Sequence, residues 1–179
     1  MSGVWVYVEQ HEGKAANVSW EAVGLGRALG DGLKQPVSAI IFGTNAAALG
    51  KEAIPHGADK AIACEDATLA DYRLEPYAAL LSKLAKERQP DVILAGATTR
   101  GRDVLGAVAV DLECGLIADG IGAELANGKV MVTRPVYAGK LMCKVVSSGT
   151  PQMLTIRNRT FPMPVADSSR SAEVETVSA

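Results

Sequence analysis

The sequence contains few of the residues that nucleic-acid sites require. Aromatic residues make up only 4% of the 179 residues, so few rings are available for bases to stack on. The formal net charge is -2, which leaves no excess of basic residues to contact phosphate groups. The composition therefore disfavours nucleic-acid binding.

Histidine and cysteine are equally scarce. His11 and His56 lie far apart without a ligand pattern near either, and we interpret both as surface or turn residues. Cys64, Cys114 and Cys143 lie among apolar residues without a Cys-x-x-Cys pair, which is typical of reduced, buried thiols. A metal site and a Ser/His/Asp nucleophile system are both disfavoured, so we expect no metal and no catalytic side chain.

Long apolar runs are also missing. No run approaches the roughly 18 residues that a membrane-spanning helix requires. Residues 1–3 lead directly into strand-like residues without the basic segment of a signal or transit peptide. We therefore expect a bacterial-type cytoplasmic chain without membrane insertion. Hydrophobic residues make up 48% of the sequence, which is enough to bury the core of one α/β domain.

Apolar strands and amphipathic helices alternate along the first 112 residues. Strands are predicted at residues 4–9, 37–42, 60–64 and 92–95. Helices are predicted from Ser19, from about Ala46 to Ile54, and from Pro76, before the helix that follows the fourth strand. Ser19 is the expected N-cap of the first helix, Glu21 lies in its expected first turn, and Gly30 and Gly32 are expected to end it. This alternation predicts a parallel, doubly wound sheet with right-handed crossovers.

After Leu112 the pattern changes to strands without intervening helices. Residues 126–129 form a hairpin signal, and strands are predicted at 115–119, 130–133, 141–147 and 153–157. We expect these strands to form an antiparallel extension of the sheet. Residues 166–179 lack hydrophobic periodicity, so they are predicted to be a flexible linker or tail beyond a domain of residues 1–165.

The polar loop after the fourth strand is the candidate binding site. It consists of Thr98, Thr99, Arg100, Gly101 and Arg102. At the carboxyl edge of a parallel sheet, a helix N-terminus offers backbone N–H groups to anions. Arg100 and Arg102 oppose the helix dipole there, so either Asp103 neutralises them locally or the loop binds an anion or a partner. The loop matches neither the Walker pattern nor Gly-x-Gly-x-x-Gly.

Four segments carry a resemblance to a known family. They are Val4-Trp5-Val6-Tyr7-Val8-Glu9, Gly57-Ala58-Asp59-Lys60, the loop from Gly96 to Asp103, and Thr133-Arg134-Pro135-Val136-Tyr137-Ala138-Gly139-Lys140. In order and spacing they resemble the N-terminal domain of the electron transfer flavoprotein α subunit, over about residues 4–165. The family often has glycine at the position of Ala138. The resemblance implies a three-layer α/β fold of the adenine-nucleotide-hydrolase-like class, with a mostly parallel sheet and the antiparallel C-terminal extension.

The resemblance implies an electron carrier component and not an enzyme. In such proteins FAD carries electrons from dehydrogenases, such as acyl-CoA dehydrogenases, to a membrane quinone reductase or similar respiratory acceptor. Most FAD contacts come from a C-terminal domain that has no counterpart in this sequence, so we expect this chain alone not to bind FAD. A homologous β subunit binds AMP. This chain is then a scaffold that docks with the β subunit and with the FAD domain.

Two further expectations concern surfaces. Arg134, Tyr137, Gly139 and Lys140 are candidate interface residues, although an ordinary strand connection with an exposed lysine would also explain them. A face meant for partners would also cause weak self-association of the chain alone. The alternative function is a stand-alone module that binds AMP or ATP at the 98–102 loop. A hydrolase is disfavoured because the loop has no nearby base.

Overall fold

The computed structural model describes residues 3–179, which form twelve strands and four α-helices. The strands are β1 (Val4–Val8), β2 (Gln10–His11), β3 (Lys14–Ala15), β4 (Val37–Phe42), β5 (Lys60–Cys64), β6 (Val92–Gly96), β7 (Leu116–Gly120), β8 (Gly122–Ala126), β9 (Lys129–Val136), β10 (Leu141–Val146), β11 (Gln152–Ile156) and β12 (Val174–Thr176). The helices are α1 (Asn17–Leu33), α2 (Ala46–Ala53), α3 (Leu74–Arg88) and α4 (Thr99–Asp111). A short 3-10 helix lies at Ala67–Leu69.

A seven-stranded parallel sheet in the order β12-β5-β4-β1-β6-β11-β7 forms the middle layer. Its central strands are continuous apolar runs that are buried on both faces, as parallel strands covered by helices must be. Helices α1 and α2 pack on one face and α3 and α4 on the other. The predicted fold class, a three-layer α/β domain with an additional antiparallel part, is confirmed.

The chain order reverses at β1. From β1 the chain runs through β4 to β5 on one side, and α3 then returns it to β6 on the other side. The carboxyl ends of β1 and β6 therefore meet at the switch point of the sheet, where ligands of open α/β folds bind. This topology places Glu9, which follows β1, beside the loop that follows β6.

Helix α1 differs from its predicted form. It begins at Asn17 and ends at Leu33, with Lys34 in the left-handed conformation, so Gly30 and Gly32 lie inside it. Ser19 is not the N-cap, because it is buried in the first turn. The prediction was wrong because a serine before an apolar run is typical of an N-cap, and the local sequence does not show that the Ser19 hydroxyl bonds to the distant Glu9 backbone instead.

Glu21 was expected in the first turn of α1, but the helix begins at Asn17 and its first turn contains no acidic residue. The Glu21 side chain is only 5% exposed. The two carboxylate oxygens accept hydrogen bonds from the backbone N–H groups of Arg159, Thr160 and Phe161, at 3.1, 3.2 and 3.3 Å. These hydrogen bonds satisfy the buried carboxylate, which would otherwise be costly to bury. They also hold the segment after β11 against α1.

The strands after Leu112 are not all antiparallel. The predicted hairpin is confirmed, because Asn127 and Gly128 both have positive φ, and β8, β9 and β10 form a separate antiparallel sheet. β7 and β11 instead belong to the parallel sheet, where β11 lies between β6 and β7. All five residues of β11 are buried, which is the environment of an internal parallel strand.

Residues 166–179 pack against the domain, contrary to the tail predicted there. β12 extends the parallel sheet beside β5. Arg170 donates to the carbonyls of Ile54 and Ala58 and to the Asp59 carboxylate, and Glu175 accepts two hydrogen bonds from the Arg88 guanidinium. Ion pairs and a short backbone ladder hold this segment, so hydrophobic periodicity could not reveal its packing.

Candidate functional site

The predicted strand, loop and helix of the candidate site are present at the carboxyl edge of the sheet. Thr98 is the N-cap of α4, and its hydroxyl oxygen accepts the Gly101 N–H at 2.9 Å. A β-carbon at Gly101 would lie 2.1 Å from the Gly96 carbonyl oxygen, so this turn admits only glycine. The loop is thus shaped by the backbone of β6.

Glu9 occupies the helix end that the sequence suggested for an anion. Its carboxylate accepts a hydrogen bond from the Thr98 hydroxyl. Its backbone is fixed as well, because the Glu9 N–H donates to Ser19 Oγ at 3.0 Å and the Glu9 carbonyl accepts the Ala16 N–H at 2.9 Å. A carboxylate of the chain itself therefore lies at the positive end of α4. We did not predict this role for Glu9, although an acid directly after a central strand at the switch point was a usable signal.

The two arginines of the loop point to neighbouring groups of the protein. Arg100 lies 5.0 Å from the centre of the Tyr72 ring and donates to the Gln10 carbonyl at 3.4 Å. Arg102 Nε donates to the Thr98 carbonyl at 3.2 Å. Among residues 3–179, Asp103 takes part in no ion pair. Neutralisation by Asp103, one of the two interpretations of the cationic helix start, is therefore not observed.

A cleft of about 320 Å³ lies beside Arg100. Its walls include Gln10, Glu12, Thr44, Asp71, Tyr72 and Tyr77. Burial raises the pKa of Tyr72 and the pKa of Tyr77, so both phenols remain neutral at physiological pH. The Tyr77 hydroxyl donates to the Leu69 carbonyl at 2.7 Å, and the buried Tyr72 hydroxyl has no hydrogen-bond partner in the described chain. Neutral phenols can donate hydrogen bonds here but cannot act as bases.

FAD, which the family resemblance implies for the intact protein, does not fit these residues. Pockets for drug-sized ligands span about 300–1,000 Å³, so the cleft is at the small end for a dinucleotide with two ring systems. Glu12 and Asp71 place carboxylates on its wall, and Glu9 places another at the helix end that a pyrophosphate would use. The residues of this cleft and of the adjoining helix end therefore do not fit this cofactor.

The candidate interface residues lie on the β9–β10 hairpin. Tyr137, Ala138 and Gly139 all have positive φ and form its turn, which exposes the Tyr137 and Lys140 side chains. The exposed apolar residues of this hairpin form what we name the hairpin patch: Tyr137, Leu141, Met142 and Val146, with 77%, 55%, 59% and 43% exposure. The structure thus brings three of the four candidates together in one turn, next to apolar side chains.

Arg134, the fourth candidate, lies apart from the turn, on β9. It is half-buried, and its Nε has no hydrogen-bond partner within the described residues. A hydrogen bond from Arg157 lowers the pKa of Asp119, and the positive charges of Arg102 and Arg134 lower it further. Arg102 of the 98–102 loop and Arg134 of β9 therefore both act electrostatically on Asp119.

Residues 3–179 hold neither a cluster of metal ligands nor a helix suited to span a membrane. They contain no group of three or more His, Cys, Asp or Glu side chains placed to hold a metal ion. None of the helices in this range has the length and apolar character needed to cross a membrane.

Comparison with known proteins identifies the family. The model of the electron transfer flavoprotein domain matches residues 4–179. Protein FixB of Bradyrhizobium diazoefficiens is 43% identical over 168 residues, which are 90% of this chain and 45% of that protein. Protein FixB of Azotobacter vinelandii is 40% identical over 180 residues, or 96% of this chain and 49% of that protein.

A third relative is named electron transfer flavoprotein subunit alpha, from Clostridium acetobutylicum. It is 35% identical over 173 residues, which are 94% of this chain and 52% of that protein. The chain spans about half the length of the curated relatives it matches. These matches confirm the resemblance to the α subunit that four sequence segments indicated, and the chain belongs to the electron transfer flavoprotein domain family.

Proposed function

We propose that this chain is the N-terminal scaffold domain of an electron transfer flavoprotein α subunit. In the intact protein it docks with the β subunit and with the FAD-bearing domain. That assembly carries electrons in the cytoplasm from dehydrogenases, such as acyl-CoA dehydrogenases, to a respiratory acceptor such as a quinone reductase. FAD supplies the redox chemistry, AMP belongs to the β subunit, and this chain contributes no catalytic side chain.

The hairpin patch is the observation that supports docking most directly. Four large apolar side chains are exposed on one hairpin, whereas the parallel sheet is covered on both faces. Several large apolar side chains exposed on one element of a small domain support an interaction site there. Tyr137 and Lys140 lie at its tip, and aromatic residues are enriched where partners bind. The relatives of twice the length are consistent with a partner domain in the same chain.

The alternative, a stand-alone AMP or ATP module, is less well supported. Its anion site would be the N-terminus of α4, but Thr98 caps that helix and binds the Glu9 carboxylate. Arg100 is engaged by the Tyr72 ring and the Gln10 carbonyl. Titration calorimetry with AMP and ATP separates the two functions, since micromolar binding by the chain alone would favour the module.

The docking proposal is tested by co-purification with the cognate β subunit. We compare the chain with a Tyr137→Ser/Leu141→Ser double variant, which removes two apolar side chains from the hairpin patch. Val110→Ser is the matched control, because Val110 is 77% exposed, as Tyr137 is, but lies on α4. The double variant should bind the β subunit at least about tenfold more weakly, and the control should bind normally.

Each outcome bears on a different part of the proposal. Equal weakening by Val110→Ser would move the interface away from the hairpin. If the unmodified chain neither co-purifies with the β subunit nor gives a flavin-coloured protein when joined to the C-terminal half of a close relative, the scaffold role is wrong. The chain alone should also self-associate weakly through the hairpin patch, and a concentration-independent monomer in ultracentrifugation would contradict that expectation.

A further inference from the structure

We propose that Glu9 is a specificity determinant that closes the carboxyl edge of the sheet to phosphate-bearing ligands. The chain supplies its own carboxylate at the helix end where the switch point of an open α/β sheet would otherwise accept an anion. This inference is independent of docking, because it concerns the switch point of the sheet and not the hairpin patch.

Three elements hold Glu9 in place. Its backbone N–H donates to Ser19 Oγ, and its carbonyl accepts the Ala16 N–H, so the start of α1 fixes the main chain. Its carboxylate accepts from the Thr98 hydroxyl, which in turn accepts the Gly101 N–H at 2.9 Å. The carboxylate is therefore part of the cap of α4 and is not a mobile surface charge.

Both arginines of the loop contact groups of the protein, and Arg102 Nε donates to the Thr98 carbonyl at 3.2 Å. Arg100 lies over the Tyr72 ring, 5.0 Å from its centre, and reaches the Gln10 carbonyl. Glu12 and Asp71 add two further carboxylates on the wall of the adjacent cleft. A phosphate entering this edge would therefore approach three carboxylates, of which only Glu9 bonds to the helix cap.

The position of Ser19 supports the same assignment. A serine inside the first turn of α1 would ordinarily compete with the helix for its own backbone groups. Here Ser19 Oγ is buried, accepts the Glu9 N–H at 3.0 Å and lies 3.4 Å from the Glu9 carbonyl. The buried Ser19 hydroxyl thus joins the first turn of α1 to the backbone of Glu9 and holds Glu9 in position.

The size of the effect follows from the charge removed. Two unit charges separated by about 5–6 Å at the effective dielectric of a protein surface interact strongly enough to change an affinity by about tenfold or more. Replacing Glu9 by glutamine removes the charge and keeps the size of the side chain. Replacing it by alanine also opens the space beside Thr98.

The experiment measures binding of inorganic phosphate and of AMP to the 179-residue chain in a phosphate-free buffer, by titration calorimetry and thermal shift. Glu9→Gln and Glu9→Ala are compared with Glu12→Gln, which removes an exposed carboxylate from the adjacent cleft and leaves Glu9 and Thr98 unchanged. We expect no measurable phosphate binding by the unmodified chain or by Glu12→Gln. Phosphate affinity should rise at least about tenfold for Glu9→Gln, which removes the charge, and by no less for Glu9→Ala, which also opens space beside Thr98.

Three results would overturn the proposal. The first is micromolar binding of phosphate or AMP by the unmodified chain. The second is an equal gain from Glu12→Gln, because a general charge effect would then explain it. The third is a folded Glu9→Gln protein with no gain in phosphate affinity. If Glu9→Ala does not fold, Glu9→Gln alone decides, since it can keep the hydrogen bond from Thr98.

Discussion

Glu21→Ala is the substitution whose effect the structure defines most sharply. The buried Glu21 carboxylate accepts three backbone N–H groups of the segment that crosses α1. One oxygen serves the Arg159 N–H, and the other is shared by the N–H groups of Thr160 and Phe161. Alanine leaves all three backbone donors without their acceptor.

The expected loss in the free energy of unfolding is about 3 kcal/mol. A hydrogen bond to a buried group contributes about 1 kcal/mol net, and the distances of 3.1–3.3 Å with one shared oxygen argue against the higher values seen for charged acceptors. Glu21→Gln keeps one acceptor oxygen but turns an NH₂ group toward a donor, so about 1–2 kcal/mol should be lost. For a chain of this length, 3 kcal/mol lowers Tm by about 6–12 °C.

Urea unfolding and thermal unfolding measure these losses, and hydrogen exchange locates them. Exchange should accelerate at residues 159–161 in both variants. Glu52→Ala is the control, because Glu52 is an exposed acid on α2 and should change stability by no more than about 0.5 kcal/mol. A Glu21→Ala loss below about 1 kcal/mol, or unchanged exchange at 159–161, would refute the role assigned to this carboxylate.

Three other predictions concern the helix cap, the last strand and a thiol. Gly101→Ala should lose about 1–3 kcal/mol in urea unfolding because its β-carbon would meet the Gly96 carbonyl, whereas Gly106→Ala on the same helix, with open space around it, should gain up to about 1 kcal/mol. The hydrogen bond from Arg88 lowers the pKa of Glu175, so the stabilisation is complete above the unfolded pKa of about 4.3 and is lost as the pH falls below it; the hydrogen-exchange protection factors of β12, taken relative to the intrinsic rate at each pH, should therefore fall below about pH 4, and Glu175→Gln should remove that pH dependence. Burial raises the pKa of Cys64, so iodoacetamide should label it at pH 7 only after the chain is denatured, and rapid labelling of the native chain would contradict its burial.

The sequence predicts the strands and helices whose burial is visible as a local pattern of apolar residues. Strands β1, β4, β5 and β6 are continuous apolar runs, and such runs between amphipathic helices indicate a parallel sheet without further information. The position of β11 was not predictable in this way. A strand buried on both faces has the same apolar pattern in any position within the sheet. In addition, β8, β9 and β10 lie between β7 and β11 in the sequence, so the order of the strands did not indicate that β11 pairs with β6.

The position of the candidate site could be predicted from the sequence, but the contacts that occupy it could not. The polar loop and the helix after the fourth strand were predicted, since strand, polar loop and apolar periodicity are local signals, but the capping role of Thr98 was not. The group that meets it, Glu9, is 89 residues away along the chain, and no local pattern records that pairing. Likewise, Asp59 and Arg170 pair across 111 residues, so a segment of polar composition proved to be packed.

The place of β11 in the sheet has a consequence during synthesis. β6 ends at residue 96, but the strand that covers its free edge begins only at residue 152. At about 5–20 residues per second, a ribosome exposes the unpaired backbone of β6 for about 3–11 s before β11 is made. Nascent chains of this protein therefore present an apolar strand edge of the kind that recruits other chains. Translation pauses between these two strands should increase aggregation, whereas pauses after β11 should not.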